Sequence, residues 1–274
     1  MPDDISKKDL TELRALLRRI EDRSKKEPIK RREPVQLEKA VPGTVVTTER
    51  GMCYVIEDDA CKFLEPQDEF TSVTDLYFRR GQVNLEYLQS HEMLSDLADV
   101  AAEKILFLDI ETAGLHGMGL FLIGLLLFED GRFRVKQLFA RDYAEEAAVL
   151  EYLREFYSKS KAIVTFNGRA FDLPFIADRA VIHRVPLKRP RIDVDLLPAA
   201  RRIWKTTLPN CKLSTLEQFV CGRRRVGDVP SHLIPQVYHE FVENGDAYLI
   251  TDVVRHNAYD LITMAHLLAR MVNG

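Results

Sequence analysis

Ten nearly unbroken apolar residues, Gly119 to Phe128 (GLFLIGLLLF), constrain this chain more than any other segment. The run is far shorter than the ~20 residues of a membrane-spanning helix. It is too apolar to leave either face in water, which predicts a strand covered on both sides. A similar strand, ILFLDI, precedes it at 105–110, and RFRVKQLF follows at 132–139. The short connections make the three an antiparallel meander.

Downstream the pattern changes. Glu145 to Tyr157 reads as an amphipathic helix with Ala148, Leu150, Leu153 and Phe156 on its apolar side. A buried strand follows at 162–166, a helix from Phe171, a short strand at 192–195 and a helix to Trp204. Leu213 to Val272 is mostly helical, with a loop at 222–231. A meander followed by alternating helix and strand predicts an α/β fold: a mixed five-stranded sheet, three antiparallel strands then parallel ones, flanked by helices.

Residues 1–100 read as an accessory region, with residues 101–274 as the main domain. An amphipathic helix is expected over 5–26, carrying Leu10, Leu13, Leu16, Leu17 and Ile20. A charged linker with two prolines follows from Lys25 to Pro34, then strand signals at 44–57 around Gly51, then a helix over 82–100. The opening MPDD and the charged helix after it lack the apolar core of an export signal, so the cytoplasm is the expected compartment and no membrane partner is expected. Hydrophobic residues at 46% and charged residues at 30% exclude collagen-like and low-complexity readings. Cys53, Cys61, Cys211 and Cys221 fit no zinc or CxxC spacing, so isolated thiols are expected.

Charge is uneven. The whole chain carries −3, but Arg179 to Arg225 holds twelve Lys and Arg against three acids. A local excess of this size, closed by Arg223, Arg224 and Arg225, could neutralise phosphates.

Acids stand at three informative places. Asp109 and Glu111 lie two apart at the end of the 105–110 strand, hence on one face. Two like charges there are costly unless a cation sits between them, and a hard cation such as Mg²⁺ or Mn²⁺ prefers oxygen ligands. Asp172 opens a helix after the turn in TFNGRAFDLP. Asp252, His256 and Asp260 recur every four residues along the last helix and share a face. Asp193 and Asp195 also lie two apart, but Asp195 just before a helix reads as an N-cap.

DIETAGL (109–115), NGRAFD (167–172) and HNAYD (256–260) together resemble the three motifs of the DEDD-type 3′–5′ exonucleases, which have the ribonuclease H-like fold, and in particular their bacterial YprB-like branch. The resemblance covers roughly residues 104–272. It implies a phosphodiester hydrolase acting on DNA or RNA with two Mg²⁺ or Mn²⁺ ions. Asp109, Glu111, Asp172 and Asp260 would be the metal-binding acids, Asp109 bridging, and His256 the general base, suited by an ordinary pKa near 6.5. Thr112 to Leu115 and Asn167 would contact the terminal nucleotide. Phe171 could wedge against a base, and the basic segment would hold the backbone. The histidine-type branch places His five residues before the last Asp and the tyrosine-type places Tyr four before. Here His256 stands in the tyrosine position, and Tyr259 is turned about 100° away around the helix. A structure-selective endonuclease and a non-catalytic nucleic-acid-binding protein on the same fold are the alternatives.

Overall fold

The structure, a computed structural model, describes residues 33–78, 94–114 and 118–273. The helix expected over 5–26, nearly all of the charged linker, most of the 82–100 helix and Leu115 lie outside the described residues. Residues 94–100, the described end of the 82–100 stretch, hold a single 3₁₀ turn at Ser95–Leu97.

Seven strands form one sheet: β1 (Thr44–Thr48), β2 (Gly51–Asp59), β3 (Ile105–Thr112), β4 (Leu120–Glu129), β5 (Arg132–Phe139), β6 (Ala162–Thr165) and β7 (Ile192–Asp195). Their order is β1-β2-β5-β4-β3-β6-β7. The meander β3–β4–β5 is antiparallel as its sequence implies, and β6 and β7 run parallel to β3. The expectation of five strands is corrected to seven. The hairpin β1–β2, assigned by sequence to the accessory region, pairs antiparallel with β5 from Tyr54↔Phe139 to Asp59↔Arg134 and extends the sheet. Tyr54, Val55 and Ile56 of β2 are buried in the main core.

The described helices are α1 (Leu37–Ala40), α2 (Phe70–Phe78), α3 (Glu146–Lys159), α4 (Asp172–Ile182), α5 (Leu196–Trp204), α6 (Leu213–Phe219), α7 (Ile234–Asn244) and α8 (Ile250–Asn273). None of them is long and apolar enough to cross a membrane. They cover the sheet on both faces, as the apolarity of β4 requires. Leu106, Leu108 and Ile110 pack with Val149, Leu150 and Leu153 of α3, while Ile105 and Phe107 pack with Ala258, Leu261 and Ile262 of α8. Alternation along β3 therefore turns Asp109, in phase with Ile105 and Phe107, toward α8. The four cysteines are free thiols.

Candidate active site

The acids gather at the carboxyl ends of the parallel strands, where open α/β sheets usually bind ligands. Asp109 and Glu111 sit at the end of β3, and a register shift between Glu111 and Thr112 breaks the ladder with β4 at that point. Such an irregularity re-aims the side chains beside it. The parallel ladder between β3 and β6 has its last pair at Phe107↔Val164. Beyond it, the Ile110 amide donates to Asp172 Oδ1 at 3.2 Å, which draws the first residue of α4 to the strand.

One row across the sheet explains how α8 is seated. Asp109, Gly124 and Gln137 are direct neighbours on β3, β4 and β5. Gly124 leaves a gap in that row, and buried Asn257 of α8 fills it. Asn257 Nδ2 donates to Asp109 Oδ2 at 2.8 Å, and its Oδ1 accepts from Gln137 Nε2 at 2.9 Å. Gln137 Nε2 also donates to the Val254 carbonyl at 2.7 Å. A Cβ at position 124 would lie 2.0 Å from Asn257 Oδ1 and 2.7 Å from its Cγ. Gly124→Ala is therefore expected to push α8 off the sheet, with an overpacking cost of about 2–3 kcal/mol. At this chain length that lowers Tm by roughly 5–10 °C. An unchanged melting curve would show that Asn257 does not need the gap.

His256, one residue before Asn257, is buried. Its Nδ1 lies 2.9 and 3.0 Å from the two carboxylate oxygens of Asp228, and its Nε2 lies 3.5 Å from Asp260 Oδ2. Arg225 joins the group through Nη2 to Asp260 Oδ1 at 2.5 Å, Nη1 to Asp228 Oδ2 at 3.2 Å and Nε to Glu217 Oε2 at 2.5 Å.

Electrostatics mark the cluster as strained for want of positive charge. Burial, then the charges of Asp260, Asp172 and Glu111, push Asp109 well above the usual carboxylate range, against the hydrogen bond from Asn257. Burial lifts Glu111 to about 8; His256 opposes this, while Asp260, Asp172 and Asp228 reinforce it. Burial also lifts Asp172 to about 7, despite backbone hydrogen bonds from its own amide and that of Ile110. Burial alone would lower His256, but the Asp228 hydrogen bond and the charges of Asp260, Glu111 and Asp228 raise it to about 9. The ordinary value near 6.5 expected from sequence is thus corrected upward while no cation sits among the acids.

The donor set fits divalent ions, since four crowded carboxylates supply hard oxygen ligands and lack counter-charge. Among the described residues no group of three or more His, Cys, Asp or Glu side chains is placed to hold a metal ion as it stands. An ion bound there would compete with Arg225 for Asp260 and with Asn257 for Asp109.

The expected substrate contacts divide. Thr112 ends β3 half-buried, Asn167 is exposed, and Phe171 stands 37% exposed at the cap of α4, its ring 5.7 Å from that of Phe175. Asn167 adopts φ 64°, and its amide donates to Asp195 Oδ1 at 2.8 Å. Asp195 also accepts from Leu197 N at 3.0 Å, so it is the N-cap the sequence suggested and the anchor of the 167–171 turn.

The basic cluster is where the structure departs most from the sequence reading. Arg225 is spent on Asp260, Asp228 and Glu217. Arg223 turns inward, its Nε 3.6 Å from both Glu217 and Asp68. Arg179, at the start of the segment, is paired with buried Glu146 at 2.6 Å. Of the three terminal arginines only Arg224 is exposed. Arg201, Arg202, Lys205 and Lys212 remain on the surface.

Asp228, Asn257 and Gln137 are site residues that motif reasoning passed over. Gln137 carried a signal, because it occupies the inward phase set by Phe133 and Val135 on β5. Asn257 lay inside the HNAYD motif. Asp228, in an irregular loop, carried none.

A family model described as the RNase_H superfamily matches residues 106–272. The chain belongs to the RNase H superfamily. Uncharacterized protein YprB of Bacillus subtilis (strain 168) is 30% identical in an alignment of 227 residues, a match that covers 80% of this chain and 54% of YprB. That span exceeds residues 101–274, so the likeness of this RNase H-superfamily chain to YprB reaches into its first hundred residues. The chain spans about half the length of this curated relative. Among solved structures, the family B DNA polymerase from the hyperthermophilic archaeon Pyrobaculum calidifontis matches with a TM-score of 0.50 at 18% identity, over 61% of this chain and 24% of the polymerase. At that identity the likeness is one of fold.

Proposed function

We propose that this RNase H-superfamily chain is a metal-dependent 3′–5′ exonuclease on single-stranded DNA or RNA. The observation that carries the reading is the meeting of Asp109, Glu111, Asp172 and Asp260 with His256 at one end of the central strands. Asp109, Glu111, Asp172 and Asp260 would hold two Mg²⁺ or Mn²⁺ ions, which when bound supply Lewis-acid polarisation of water and of the scissile phosphate. With the acids neutralised, the charges that hold His256 protonated weaken, and its Nε2, on the side of Asp260, can accept a proton from water. Thr112 and Asn167 would contact a terminal nucleotide, Phe171 offers an exposed ring for a base, and Arg224 with the surface lysines and arginines of 201–212 would follow the phosphate backbone.

The test has two arms. End-labelled single strands incubated with Mg²⁺ or Mn²⁺ should give a ladder growing from the 3′ end that EDTA abolishes. Internal cuts would assign an endonuclease, and binding without cutting a non-catalytic protein. The second arm reads stability. Acids raised to about 7 and 8 in the folded protein, against about 4 when unfolded, favour folding fully below pH 4. That contribution is lost as pH rises through 7 to 8. Mg²⁺ binds the ionised acids, so it should raise Tm more at pH 8 than at pH 5. No Mg²⁺ effect on Tm at pH 8 would overturn the metal site.

A further inference from the structure

We propose that Asp228 is the positioning residue of His256, holding Nδ1 as a donor and so fixing which edge of the ring, that of Nε2, faces the acids. The inference deepens the nuclease reading above and rests on it for its kinetic consequence, though not for its geometry.

Both oxygens of Asp228 lie within hydrogen-bond distance of one ring atom, His256 Nδ1, at 2.9 and 3.0 Å. A carboxylate can only accept, so Nδ1 must donate. This sets the ring orientation and leaves Nε2 on the opposite edge, 3.5 Å from Asp260 Oδ2. Among the described residues, the other polar neighbour of the ring is Asp260 itself.

Asp228 is in turn held from two sides. Its Oδ1 accepts from the Val229 amide at 3.0 Å, and its Oδ2 accepts from Arg225 Nη1 at 3.2 Å. Arg225 is braced by Glu217 on α6 and by Asp260 on α8. The loop between α6 and α7 thus delivers a fixed acceptor to the back of the imidazole. A ring flip about χ2 would exchange Nδ1 for a carbon facing Asp228 and lose this bond. Outer partners of this kind set the tautomer and orientation of a working histidine, and their removal typically costs 10–100-fold in activity.

The experiment compares Asp228→Ala, Asp228→Asn, His256→Ala and the Asp228→Ala/His256→Ala double variant in the full chain. The assay uses an end-labelled single strand with Mg²⁺, and proton NMR of ¹⁵N-histidine-labelled protein reads the ring directly. Asp228→Ala should lower kcat about 10–100-fold with KM little changed, since Asp228 acts through His256 rather than on substrate. In the His256→Ala background the same change should add almost nothing. Asp228→Asn should recover part of the rate, because its amide oxygen can accept the same proton. The His256 Nδ1 proton should exchange slowly in the starting protein and be lost to exchange in Asp228→Ala. Equal losses in both backgrounds would overturn the proposal, as would a protected Nδ1 proton that persists in Asp228→Ala. If the starting protein does not hydrolyse the strand, the nuclease reading fails, and the NMR arm alone still decides whether Asp228 orients the ring.

Discussion

Asp109→Asn is expected to yield a folded protein that binds single-stranded nucleic acid and no longer cuts it. The amide keeps the shape of the carboxylate, and its oxygen can still accept from Asn257 Nδ2, the contact that seats α8 on the sheet at 2.8 Å. It also removes one of several like charges that crowd each other, so the metal-free fold should be no less stable. The loss falls on the cation site. The charges of Asp260, Asp172 and Glu111 all act on Asp109, so it would be a central ligand of the proposed ions. Losing a ligand of the cations that would stabilise charge on the reacting phosphate should cost on the order of 10³-fold or more in single-turnover rate. The check is the rate on an end-labelled strand beside the melting temperature of the same preparation. Full Mg²⁺-dependent activity in a correctly folded Asp109→Asn protein would falsify the metal-site assignment.

His256→Ala should lose about 10²–10⁴-fold, the usual share of a positioned general base. Metal binding should persist, because the four acids remain. The pH profile gives the sharper reading. A protonated imidazole cannot accept a proton, so wild-type rates should rise with pH as His256 gives up its own. Burial lowers its pKa, but Asp228, Asp260 and Glu111 carry it to about 9 in the metal-free protein. Cations that neutralise two of those three acids should bring that rise down from 9 toward neutral pH. In His256→Ala this limb should vanish. His256→Tyr places at this spacing the residue that the tyrosine-type branch uses, and partial recovery relative to Ala is expected. Wild-type rates in His256→Ala, or an acid limb that survives in it, would move the proton acceptor elsewhere and leave His256 as a structural partner of Asp228.

What could be read from sequence, and what could not, follows from how local the cause is. The runs that make β3, β4 and β5 are contiguous, and their connections are too short for any other pairing, so the meander was legible. The strands of the β1–β2 hairpin were equally visible around Gly51. Their attachment to β5 was not, because pairing Tyr54 with Phe139 depends on an edge some eighty residues away. The placement of the four acids and His256 was legible because each motif pins its residue to a strand end or a helix, whatever role those residues prove to have. The arginines show the opposite case. A count of charges reports an excess but not which side chains find acids, and Arg223 and Arg225 find Asp68, Glu217, Asp228 and Asp260 only once the loop after α6 folds back on α8.

The strand order has a consequence for how the site can move. β3, which bears Asp109 and Glu111, is bonded on both sides, to β4 and β6, in the interior of the sheet. Amides in such a place exchange with solvent only when the whole domain opens. The Arg225–Asp228 segment is tied to α8 by side chains alone, and breathing there can let go of Asp260 and His256 while the strand acids stay put. If the chain takes a nucleic-acid strand as proposed, adjustment to it is expected on the loop side, with β3 as the fixed wall.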